Sequence, residues 1–475
     1  MSIRFQNLCF TYSQDRKDVL SGLTAEFDRE RITVLTGASG CGKSTLLYLA
    51  AGAYPHGAGI LRSGTVTVEG QAPGALPPPE RCRLVGMMFQ NPELQFCMDT
   101  VKNELVFCLE NICVDPSEME EKIDEALAFC EIPHLKDRTL ASLSGGERQK
   151  AMLACLTALD PQWLLLDEPF ANIDDDSARA IAGRLKALHE TRGTGILAVD
   201  HRLENWLQVA DQVRIMDGGT LLPEVLDPRK LDPAQLEALG VIVPGRSYRP
   251  ALPPARTGAP VLTLENLCVT HQGNPILRNI SARFLRGRIY AIVGQSGCGK
   301  STLFGALSGL YAYTGHALLE GTELRRLKKR DLGKAGFVTQ NPQDQFVGGT
   351  VRQEILASLR RDPRAAETSE AILREIRLWR YRDISPYLLS QGQQRRLGVA
   401  ALMAYDCHIL ICDEPTYAQD RRGTLAVMDA LCRQARERDA ALVFSTHDRQ
   451  LARDYADEIW ELKEGALHAY AESGG

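Results

Sequence analysis

The sequence predicts an α/β protein with mostly parallel sheets, built twice in one chain. Apolar, β-rich runs such as Ile32–Leu35 and Trp163–Leu166 have the composition of buried strands. Helical patterns separate these runs. Strands that alternate with helices favour parallel pairing, because each helix carries the chain back to the start of the next strand. A second series of the same segments begins near residue 260.

The composition is that of a globular protein and argues against several other classes. Of the 475 residues, 44% are hydrophobic and 24% are charged, which excludes disordered, collagen-like and coiled-coil chains. The formal net charge is −5. Proteins that bind nucleic acid in bulk usually carry a basic surplus instead. We therefore expect no nucleic-acid partner.

The apolar runs are too short to cross a membrane. Trp163–Leu166 and Leu397–Ala404 fall far below the ~20 residues that a transmembrane helix needs. The first residues begin a strand pattern without the apolar core of a signal peptide. Any membrane role is therefore expected to come through a partner. The 13 cysteines form no Cys-x-x-Cys pair, which predicts reduced thiols in the cytosol rather than disulfides or a zinc site.

The chain contains an internal repeat of domain size. A Gly-rich segment at Gly37–Thr45 returns 257 residues later at Gly294–Thr302, and later motifs return after 250 and then 246 residues. The order is kept and the spacing shrinks in one direction, as loop deletions would produce. The other repeated motifs are Asn7–Tyr12 with Asn266–His271, Gln90–Phe96 with Gln340–Phe346, Leu143–Glu147 with Leu389–Gln393, Asp167–Pro169 with Asp413–Pro415, and Asp200–His201 with Thr446–His447.

A Pro-rich seam divides the predicted domains. The boundaries are 1–222 for the first domain, 223–259 for the linker and 260–475 for the second domain. Prolines favour extended, semi-rigid spacers, although Pro233–Gly240 is compatible with one or two helical turns. The further buried strands are expected at Gly195–Val199, Arg288–Val293, His408–Cys412 and Ala441–Ser445.

The two Gly-x-x-x-x-Gly-Lys-Ser runs each follow a buried strand and open an apolar helix, which is the setting of a P-loop. Glycines let backbone N–H groups surround phosphate oxygens, and the helix N-terminus favours negative charge. Lys43 and Lys300 are predicted to reach the β- and γ-phosphates of ATP, and Ser44 and Ser301 to bind Mg²⁺. The predicted nucleotide-binding residues of the two loops are Gly37, Ala38, Ser39, Gly40, Cys41, Gly42, Lys43, Ser44 and Thr45, and Gly294, Gln295, Ser296, Gly297, Cys298, Gly299, Lys300, Ser301 and Thr302.

Acidic pairs end a later buried strand in each half. Asp167 and Asp413 are candidates to hold Mg²⁺, and the next residues, Glu168 and Glu414, are candidates to polarise the attacking water. A strand-end acid that caps the next helix is the alternative interpretation. His201 and His447 lie 33 residues after the respective Glu and are predicted to contact the γ-phosphate. Gln90 and Gln340 are predicted to approach Mg²⁺ or the attacking water.

Together these residues resemble the nucleotide-binding domain of ABC ATPases, because Leu143–Glu147, Leu-Ser-Gly-Gly-Glu, looks like the signature of that family. The resemblance implies two tandem P-loop NTPase (ABC ATPase) domains, each with a mostly parallel sheet core, an antiparallel β subdomain and a helical signature subdomain. It also implies head-to-tail pairing of the two domains, with each ATP between one P-loop and the signature of the other domain. The implied signature contacts are Ser144, Gly145 and Gly146, and Ser390 and Gly392, and the implied adenine contacts are Tyr12 and His271.

The two halves depart from the family pattern at different places. Gln391 replaces the first glycine of the second signature, and His271 stands where the first half has Tyr12. The catalytic Glu and His are present in both halves. Both sites are therefore expected to hydrolyse ATP, with rates that need not be equal.

The segments Gln90–Phe96 and Gln340–Phe346, called here the Gln segments, share the pattern Gln-Asn-Pro-x-x-Gln-Phe. This pattern resembles the ATPase subunits of energy-coupling factor (ECF) transporters, which import vitamins and transition-metal ions. In that family the segment contacts helices of a transmembrane subunit, and Phe96 and Phe346 would be apolar anchors here. The resemblance implies a peripheral protein on the cytoplasmic face of the membrane, partnered by a transmembrane coupling protein and a substrate-binding component.

Three other classes of ABC ATPase fit the sequence less well. A tandem ABC ATPase that acts on ribosomes typically carries a long, charged helical linker, whereas this linker is Pro-rich. A DNA-repair ABC ATPase would carry Cys-x-x-Cys zinc insertions. The ATPase of a ribose-type sugar importer is the nearest rival, and the doubled Gln segment favours the ECF interpretation over it.

Overall fold

A computed structural model describes residues 1–470, apart from several short gaps. Two compact units follow each other along the chain, Met1–Pro244 and Gly245–Gly475, called here unit 1 and unit 2. Two predicted site residues, Ser296 and Gln340, lie outside the described residues, as do the side chains of His271 and Gln391. The gaps are residues 15–16, 172, 243–246, 249–251, 256–257, 272, 296, 328–331, 340, 360–361, 406 and 418, and only the backbone is described at Glu93, Asp175, His271, Leu332 and Gln391.

Unit 1 contains two sheets. The strands are β1 (Ser2–Thr11), β2 (Leu20–Asp28), β3 (Thr33–Thr36), β4 (Ile60–Val68), β5 (Val85–Met88), β6 (Trp163–Asp167), β7 (Gly195–Val199), β8 (Gln212–Asp217) and β9 (Thr220–Leu226). An antiparallel sheet has the order β2-β1-β4, and a six-stranded sheet has the order β5-β6-β7-β3-β8-β9. The six-stranded sheet is parallel except for the last pair, β8 with β9.

The helices of unit 1 begin at residues that suit helix starts. Thr100, Asp115 and Ser144 each accept a hydrogen bond from a backbone N–H of the first turn, which satisfies donors that a helix leaves without partners. The helices are α1 (Lys43–Ala50), α2 (Pro78–Leu84), α3 (Val101–Asn111), α4 (Pro116–Phe129), α5 (Gly145–Ala158), α6 (Asp175–Arg192) and α7 (Pro233–Ala238), with 3-10 turns at Pro73–Ala75, Pro92–Leu94, Pro133–Leu135, Leu140–Ser142 and Pro228–Lys230.

Unit 2 repeats this plan. Its strands are β10 (Pro260–His271), β11 (Asn274–Leu285), β12 (Ile289–Val293), β13 (Thr314–Leu319), β14 (Thr322–Glu323), β15 (Ala335–Val338), β16 (Ile409–Cys412), β17 (Ala441–Ser445), β18 (Glu458–Lys463) and β19 (Ala466–Ala469). The antiparallel sheet has the order β11-β10-β13-β14, and the mostly parallel sheet has the order β15-β16-β17-β12-β18-β19. The helices are α8 (Lys300–Leu307), α9 (Val351–Ser358), α10 (Ala365–Glu375), α11 (Gln391–Met403), α12 (Arg421–Glu437) and α13 (Arg449–Tyr455), with 3-10 turns at Leu324–Arg326, Leu332–Lys334, Pro342–Gln345, Trp379–Tyr381 and Pro386–Leu388.

The parallel strands are buried on both faces, as their continuous apolar sequences predict. In β6, Leu165 packs with the antiparallel sheet, whereas Leu164 and Leu166 pack with the helices on the other face. In unit 2 the helices α9, α10 and α11 bury a separate cluster that includes Val351 and Leu397. Each unit therefore has a mostly parallel sheet, an antiparallel sheet and a group of helices, and the predicted fold class is confirmed.

Unit 1 extends further along the chain than the predicted boundary at residue 222. Strand β9 continues to Leu226, and α7 adds the predicted helical turns. Leu236 and Val241 are buried in the core of unit 1, which explains why the Pro-rich stretch up to this point packs on the unit instead of forming a spacer. In the part of the chain that the structure describes, every helix is too short or too polar to cross a bilayer.

Candidate functional site

The predicted catalytic residues lie at one edge of each parallel sheet. In unit 1, Asp167 at the end of β6 pairs with Val199 of β7, and Val199 also pairs with Leu35 of β3. Because these strands are parallel, their carboxyl ends meet at the same edge. The P-loop after β3, the Asp–Glu pair after β6 and His201 after β7 therefore converge, as the sequence predicts.

The P-loop of unit 1 curls around the ammonium group of its lysine. Lys43 is buried, and its Nζ donates hydrogen bonds to the carbonyl oxygens of Gly37 (2.8 Å) and Ala38 (2.9 Å). Gly37 has a φ of 142°, and a Cβ at this position would lie 2.0 Å from the backbone oxygen of Met216. The close approach of β8 thus requires glycine, and the loop surrounds a cationic centre that precedes a helix N-terminus, which suits phosphate.

The P-loop of unit 2 has the same construction. Nζ of Lys300 donates to the carbonyl oxygens of Gly294 (2.8 Å) and Gln295 (3.0 Å). Gly294 has a φ of 157°, and a Cβ there would lie 2.5 Å from the backbone oxygen of Leu462. Among the described residues, the two loops therefore hold their lysines in the same way.

Asp167 of unit 1 is suited to a divalent cation. It is 1% exposed, and neither carboxylate oxygen has a hydrogen-bond partner of normal geometry among the described residues. Burial raises its pKa to about 6, against the opposing effects of the Ser44 hydroxyl and of Lys43. A buried carboxylate without hydrogen bonds is costly unless a cation balances it, and Mg²⁺ prefers oxygen ligands of this kind. Asp167 and Ser44 therefore fit the predicted Mg²⁺ site.

Asp413 of unit 2 has a partner that Asp167 lacks. Oγ of Ser445 donates to Oδ1 of Asp413 at 2.6 Å and accepts from the backbone N–H of Glu414 at 2.9 Å. Burial raises the pKa of Asp413, and the hydroxyls of Ser445 and Ser301 oppose this effect. The residue corresponding to Ser445 in unit 1 is Val199, which has no hydroxyl. Asp413 and Ser301 also fit a Mg²⁺ site, with a more rigidly held carboxylate.

Glu168 and His201 face each other in unit 1. Nε2 of His201 lies 3.3 Å from Oε1 of Glu168, and both side chains are buried. Burial and the charges of Asp167 and Asp200 raise the pKa of Glu168 to about 8. A hydrogen bond from the side chain of Gln90 acts in the opposite direction. Burial and Lys43 lower the pKa of His201 well below its usual value. The predicted Gln90, Glu168 and His201 are thus brought together.

The corresponding pair in unit 2 has a different electrostatic environment. Nε2 of His447 contacts Oε1 of Glu414 directly. Burial opposes ionisation of Glu414, but His447, Lys300 and the guanidinium of Arg395 together lower its pKa. Arg395 is buried on α11 and donates to the backbone oxygens of Thr339 (2.6 Å) and Asp413 (3.3 Å). Its counterpart in unit 1 is the neutral Gln149, whose side-chain amide donates to the backbone carbonyl oxygen of Glu168.

Asp200 is a site residue to which the sequence analysis gave no role. It is buried beside His201 and accepts from Nε1 of Trp206 (2.9 Å) and from the N–H of Arg202 (2.9 Å). The ring of Trp206 contacts Phe170, with centroids 5.0 Å apart. In unit 2 the corresponding residue is Thr446. Aligning the two halves of the sequence reveals that Asp200 corresponds to a threonine, but it does not reveal the contacts that Asp200 makes.

Tyr12, predicted to contact adenine, belongs to an aromatic group next to the P-loop. It is 43% exposed, its ring meets those of Phe10 and Tyr54 edge-on, and its hydroxyl is hydrogen-bonded to Oγ1 of Thr45 at 2.8 Å. An exposed aromatic face beside the loop is suited to stacking with a base. The side chain of His271, the counterpart in unit 2, is not described.

The signature residues begin α5 and α11. Ser144 and Ser390 are the N-caps of these helices, and each forms a reciprocal capping box, with Glu147 and Gln393 respectively. Gly145 and Gly146 form the first turn of α5, whose N–H groups have no partner within the helix. Both signatures therefore present a helix N-terminus, which favours an anion.

A buried glutamate holds the end of each Gln segment, and the sequence analysis missed it. Oε2 of Glu104 accepts from the N–H groups of Cys97 (2.9 Å) and Met98 (2.8 Å). Oε2 of Glu354 accepts from the N–H groups of Val347 (2.8 Å) and Gly348 (2.6 Å). The spacing of 250 residues that relates the Gln segments also relates these glutamates, so the repeat could have identified them.

The second glutamine of each Gln segment holds the segment in place. The side chain of Gln95 accepts from the N–H of Phe89 (2.7 Å) and donates to the oxygen of Met87 (2.9 Å). Gln345 likewise donates to the oxygen of Phe337 at 2.8 Å. The second Gln of the pattern therefore joins the segment to the end of β5 or β15 and keeps its shape.

Alkylation should distinguish the two P-loop cysteines. Cys41 is buried and Cys298 is half-buried, and burial raises the pKa of both thiols. Because thiolates are the reactive form, we expect N-ethylmaleimide to modify the exposed Cys97 and Cys113 before the half-buried Cys298, and Cys298 before the buried Cys41. Loss of ATP binding should follow the last two. Peptide mass spectrometry with a nucleotide-binding assay measures this order, and full binding by a fully alkylated chain would refute it.

Comparison with known proteins agrees with the geometry. A family model described as ABC transporter matches residues 20–171 and 277–417. The "Putative HMP/thiamine import ATP-binding protein YkoD" of Bacillus subtilis (strain 168) is 32% identical, over 97% of this chain and 90% of its own length. A putative ABC transporter ATP-binding protein of Methanosarcina acetivorans is 30% identical, over 98% of this chain and 89% of its own length.

A solved structure with a similar fold is a model of ribosome-bound archaeal Pelota and ABCE1. It covers 98% of this chain and 78% of the other, with a TM-score of 0.70 and 18% identity, which shows the shared fold alone. The family model matches both halves, and the relatives align along nearly the whole chain. The chain therefore belongs to the ABC transporter family, as an ATP-binding protein with two ATPase domains.

Proposed function

We propose that this ATPase powers an ECF-type importer from the cytoplasmic face of the membrane. The observation that carries the proposal is the pair of Gln segments, each of which is followed by a loop held on a buried glutamate. In both units exposed apolar side chains lie on or next to these segments. Such side chains are costly in water and are typical of protein contact surfaces.

The apolar surface is larger in unit 2. Val347, Tyr387 and Leu388 are 76%, 55% and 71% exposed, and the ring of Phe346 meets Tyr387 edge-on with centroids 5.9 Å apart. This surface, called here the unit 2 patch, joins the end of the Gln segment to the 3-10 turn before the signature. A partner that binds here contacts residues close to both the Gln segment and the signature helix.

Unit 1 has a smaller surface at the matching place. Leu94 is 78% exposed and Met98 is 38% exposed, while Phe96 is partly buried against the core. These residues are called here the unit 1 patch. The proposed occupants are helices of a transmembrane coupling protein, which present apolar side chains at their cytoplasmic ends, and a separate component binds the imported substrate.

The proposed chemistry is hydrolysis of MgATP at two sites. Bound Mg²⁺ neutralises phosphate charge. Lys43 and Lys300 bind the β- and γ-phosphates, Glu168 and Glu414 orient and polarise the attacking water, and His201 and His447 contact the γ-phosphate. The proposed Mg²⁺ contacts are Ser44, Gln90 and Asp167 in unit 1, and Ser301, Gln340 and Asp413 in unit 2.

We also propose that each ATP binds between one P-loop and the signature of the other unit. Ser390 and Gly392 then complete the site of Lys43, and Ser144, Gly145 and Gly146 complete the site of Lys300. The support is chemical: both signatures begin a helix at a capped serine, and a helix N-terminus can bind a γ-phosphate presented to it.

The relatives support an import role. The Bacillus relative is named for import of HMP or thiamine and aligns with 97% of this chain, which makes a vitamin or a vitamin precursor the first substrate class to test. The ribosome-bound structure shares the fold at 18% identity, and that likeness alone does not favour a ribosomal function.

The unit 2 patch provides the test. We expect Val347→Glu with Leu388→Glu to reduce co-purification with integral membrane proteins at least tenfold, because two charges would enter an apolar contact. ATPase activity of the free chain should change less than twofold. Leu310→Glu is the matched control, since Leu310 is also an exposed leucine of unit 2 (69%) but lies outside the patch.

Identification of the proteins retained by the unchanged chain, in detergent extracts of its own cells, completes the experiment. Integral membrane proteins in the wild-type sample, absent from the double variant, would support the proposal. Recovery of the chain with ribosomes instead, unaffected by the double variant, would overturn it.

A further inference from the structure

The linker is anchored to unit 2 through Tyr248. This residue is 6% exposed, although it belongs to the predicted Pro-rich linker, at the start of unit 2. Its N–H donates to Oδ2 of Asp454 at 2.6 Å, and its hydroxyl donates to Oδ2 of Asp448 at 2.7 Å. Its ring also packs near Tyr455, with centroids 6.3 Å apart. Tyr248 therefore contacts both ends of helix α13.

Asp448 links this anchor to the catalytic loop. It directly follows His447, and its Oδ1 accepts from the N–H of Leu451 as the N-cap of α13. Its own N–H donates to Oγ1 of Thr446 at 3.0 Å. The two oxygens of one carboxylate thus bind the helix cap and the linker tyrosine, and the same residue forms part of the turn that contains His447.

Arg421 supplies a second connection. It is the first residue of α12, which follows the loop after Glu414. Its guanidinium lies 4.9 Å from the centre of the Tyr248 ring and donates to the carbonyl oxygen of Ser247 at 2.8 Å. Tyr248 is therefore packed between the helix that follows the Glu414 loop and the helix that follows His447.

Unit 1 holds its histidine loop in another way. The chain after His201 forms turns, and the buried Asp200 accepts the N–H of Trp206 there. The linker also begins beside this loop, since the N–H of Ile242 donates to the carbonyl oxygen of His201 at 3.3 Å. In unit 1 the side chain of Asp200 is bound from within the loop by Trp206, whereas in unit 2 the side chain of Asp448 is bound by Tyr248 of the predicted linker.

We infer that Tyr248 is a positioning residue for His447, through which the linker controls ATP turnover in unit 2. The inference rests on the ATPase activity and on the proposed role of His447, and it does not depend on the membrane partner. A linker that carries Tyr248 away from Asp448 would remove the hydrogen bond to Oδ2 of Asp448 and leave the N-cap bond from Leu451 to Oδ1. Nucleotide binding, which the P-loop supplies, would be unaffected.

The test uses the full-length chain with Tyr248→Phe, which removes the hydroxyl and keeps the ring. Tyr405→Phe, at an exposed tyrosine of the same unit, is the matched control. In the background of Glu168→Gln, where only the unit 2 site turns over, we expect kcat to fall about fivefold to tenfold, as the loss of one hydrogen bond to a carboxylate predicts. The Kd for MgATP, measured in the background of Glu168→Gln with Glu414→Gln, should stay within twofold.

Amide hydrogen exchange provides the second measurement, because it reports on each loop separately. In Tyr248→Phe, exchange should become faster in residues 446–455 and stay unchanged in residues 200–206. An unchanged kcat would overturn the inference even if exchange rises, since the hydrogen bond would then be merely structural. A loss of ATP affinity equal to the loss of kcat, or faster exchange in residues 200–206, would also overturn it. A failure of membrane co-purification would leave these results unaffected.

Discussion

Replacing Glu168 and Glu414 together with glutamine is expected to reduce ATP turnover at least 100-fold and to leave MgATP binding within about threefold of its original affinity. Both residues directly follow a buried aspartate at a strand end, and both have a positive φ, 50° and 48°, which fixes the side chain at the sheet edge. Glutamine has nearly the same shape but accepts no proton. Loss of a positioned acid–base group typically costs 10²–10⁴-fold in rate.

Phosphate release measures the turnover, and equilibrium binding of MgATP measures the affinity. A double replacement of the exposed Glu121 and Glu367 with glutamine is the matched control for the change in charge, and it should leave turnover within twofold. Undiminished phosphate release by Glu168→Gln with Glu414→Gln would contradict the catalytic assignment. Weak binding with proportionate loss of turnover would instead assign these glutamates to the binding of nucleotide.

Gly37→Ala should disable the P-loop of unit 1. The added Cβ would lie 2.0 Å from the backbone oxygen of Met216, at a φ of 142°. Met216 belongs to β8, which is paired with β3 in the middle of the sheet, so this oxygen cannot move aside without breaking the pairing. We expect a loss of about 3 kcal/mol or more in the free energy of unfolding, and bound nucleotide should fall to about half.

Gly40→Ala is the matched control in the same loop. Gly40 also has a positive φ, 78°, but a Cβ there would have no atom within 4 Å. We therefore expect a cost of about 1 kcal/mol, from backbone strain alone. Urea unfolding and a nucleotide-binding titration measure both variants. Equal effects of the two substitutions would show that the contact with Met216 does not determine the shape of the loop.

The sheet core and the convergence of the candidate catalytic residues could be predicted from the sequence. The strand at Trp163–Asp167 is a continuous apolar run that ends in an acid, and only a parallel arrangement brings such an end next to a P-loop. The internal repeat strengthened each prediction made from a motif, because the same motifs appear twice in the same order. Local pattern and domain architecture therefore indicated the same fold.

Contacts between distant segments could not be predicted. Ser445 binds Asp413 because β16 and β17 are neighbours in a particular register, and one sequence does not reveal that register. Tyr248 looked like part of a spacer, since proline content outweighed a single aromatic residue, and its burial depends on acids about 200 residues away. The end of unit 1 could not be predicted for the same reason, because Leu236 and Val241 belong to it through burial in a core formed by distant residues.

The two patches differ in size and in chemistry: Leu94 and Met98 in one unit, and Val347, Tyr387 and Leu388 in the other. Since one polypeptide carries both, every copy supplies them in a fixed one-to-one stoichiometry, which two separately made subunits could not guarantee. A pseudo-symmetric membrane protein with two non-equivalent cytoplasmic helices would consequently have a preferred orientation on this ATPase.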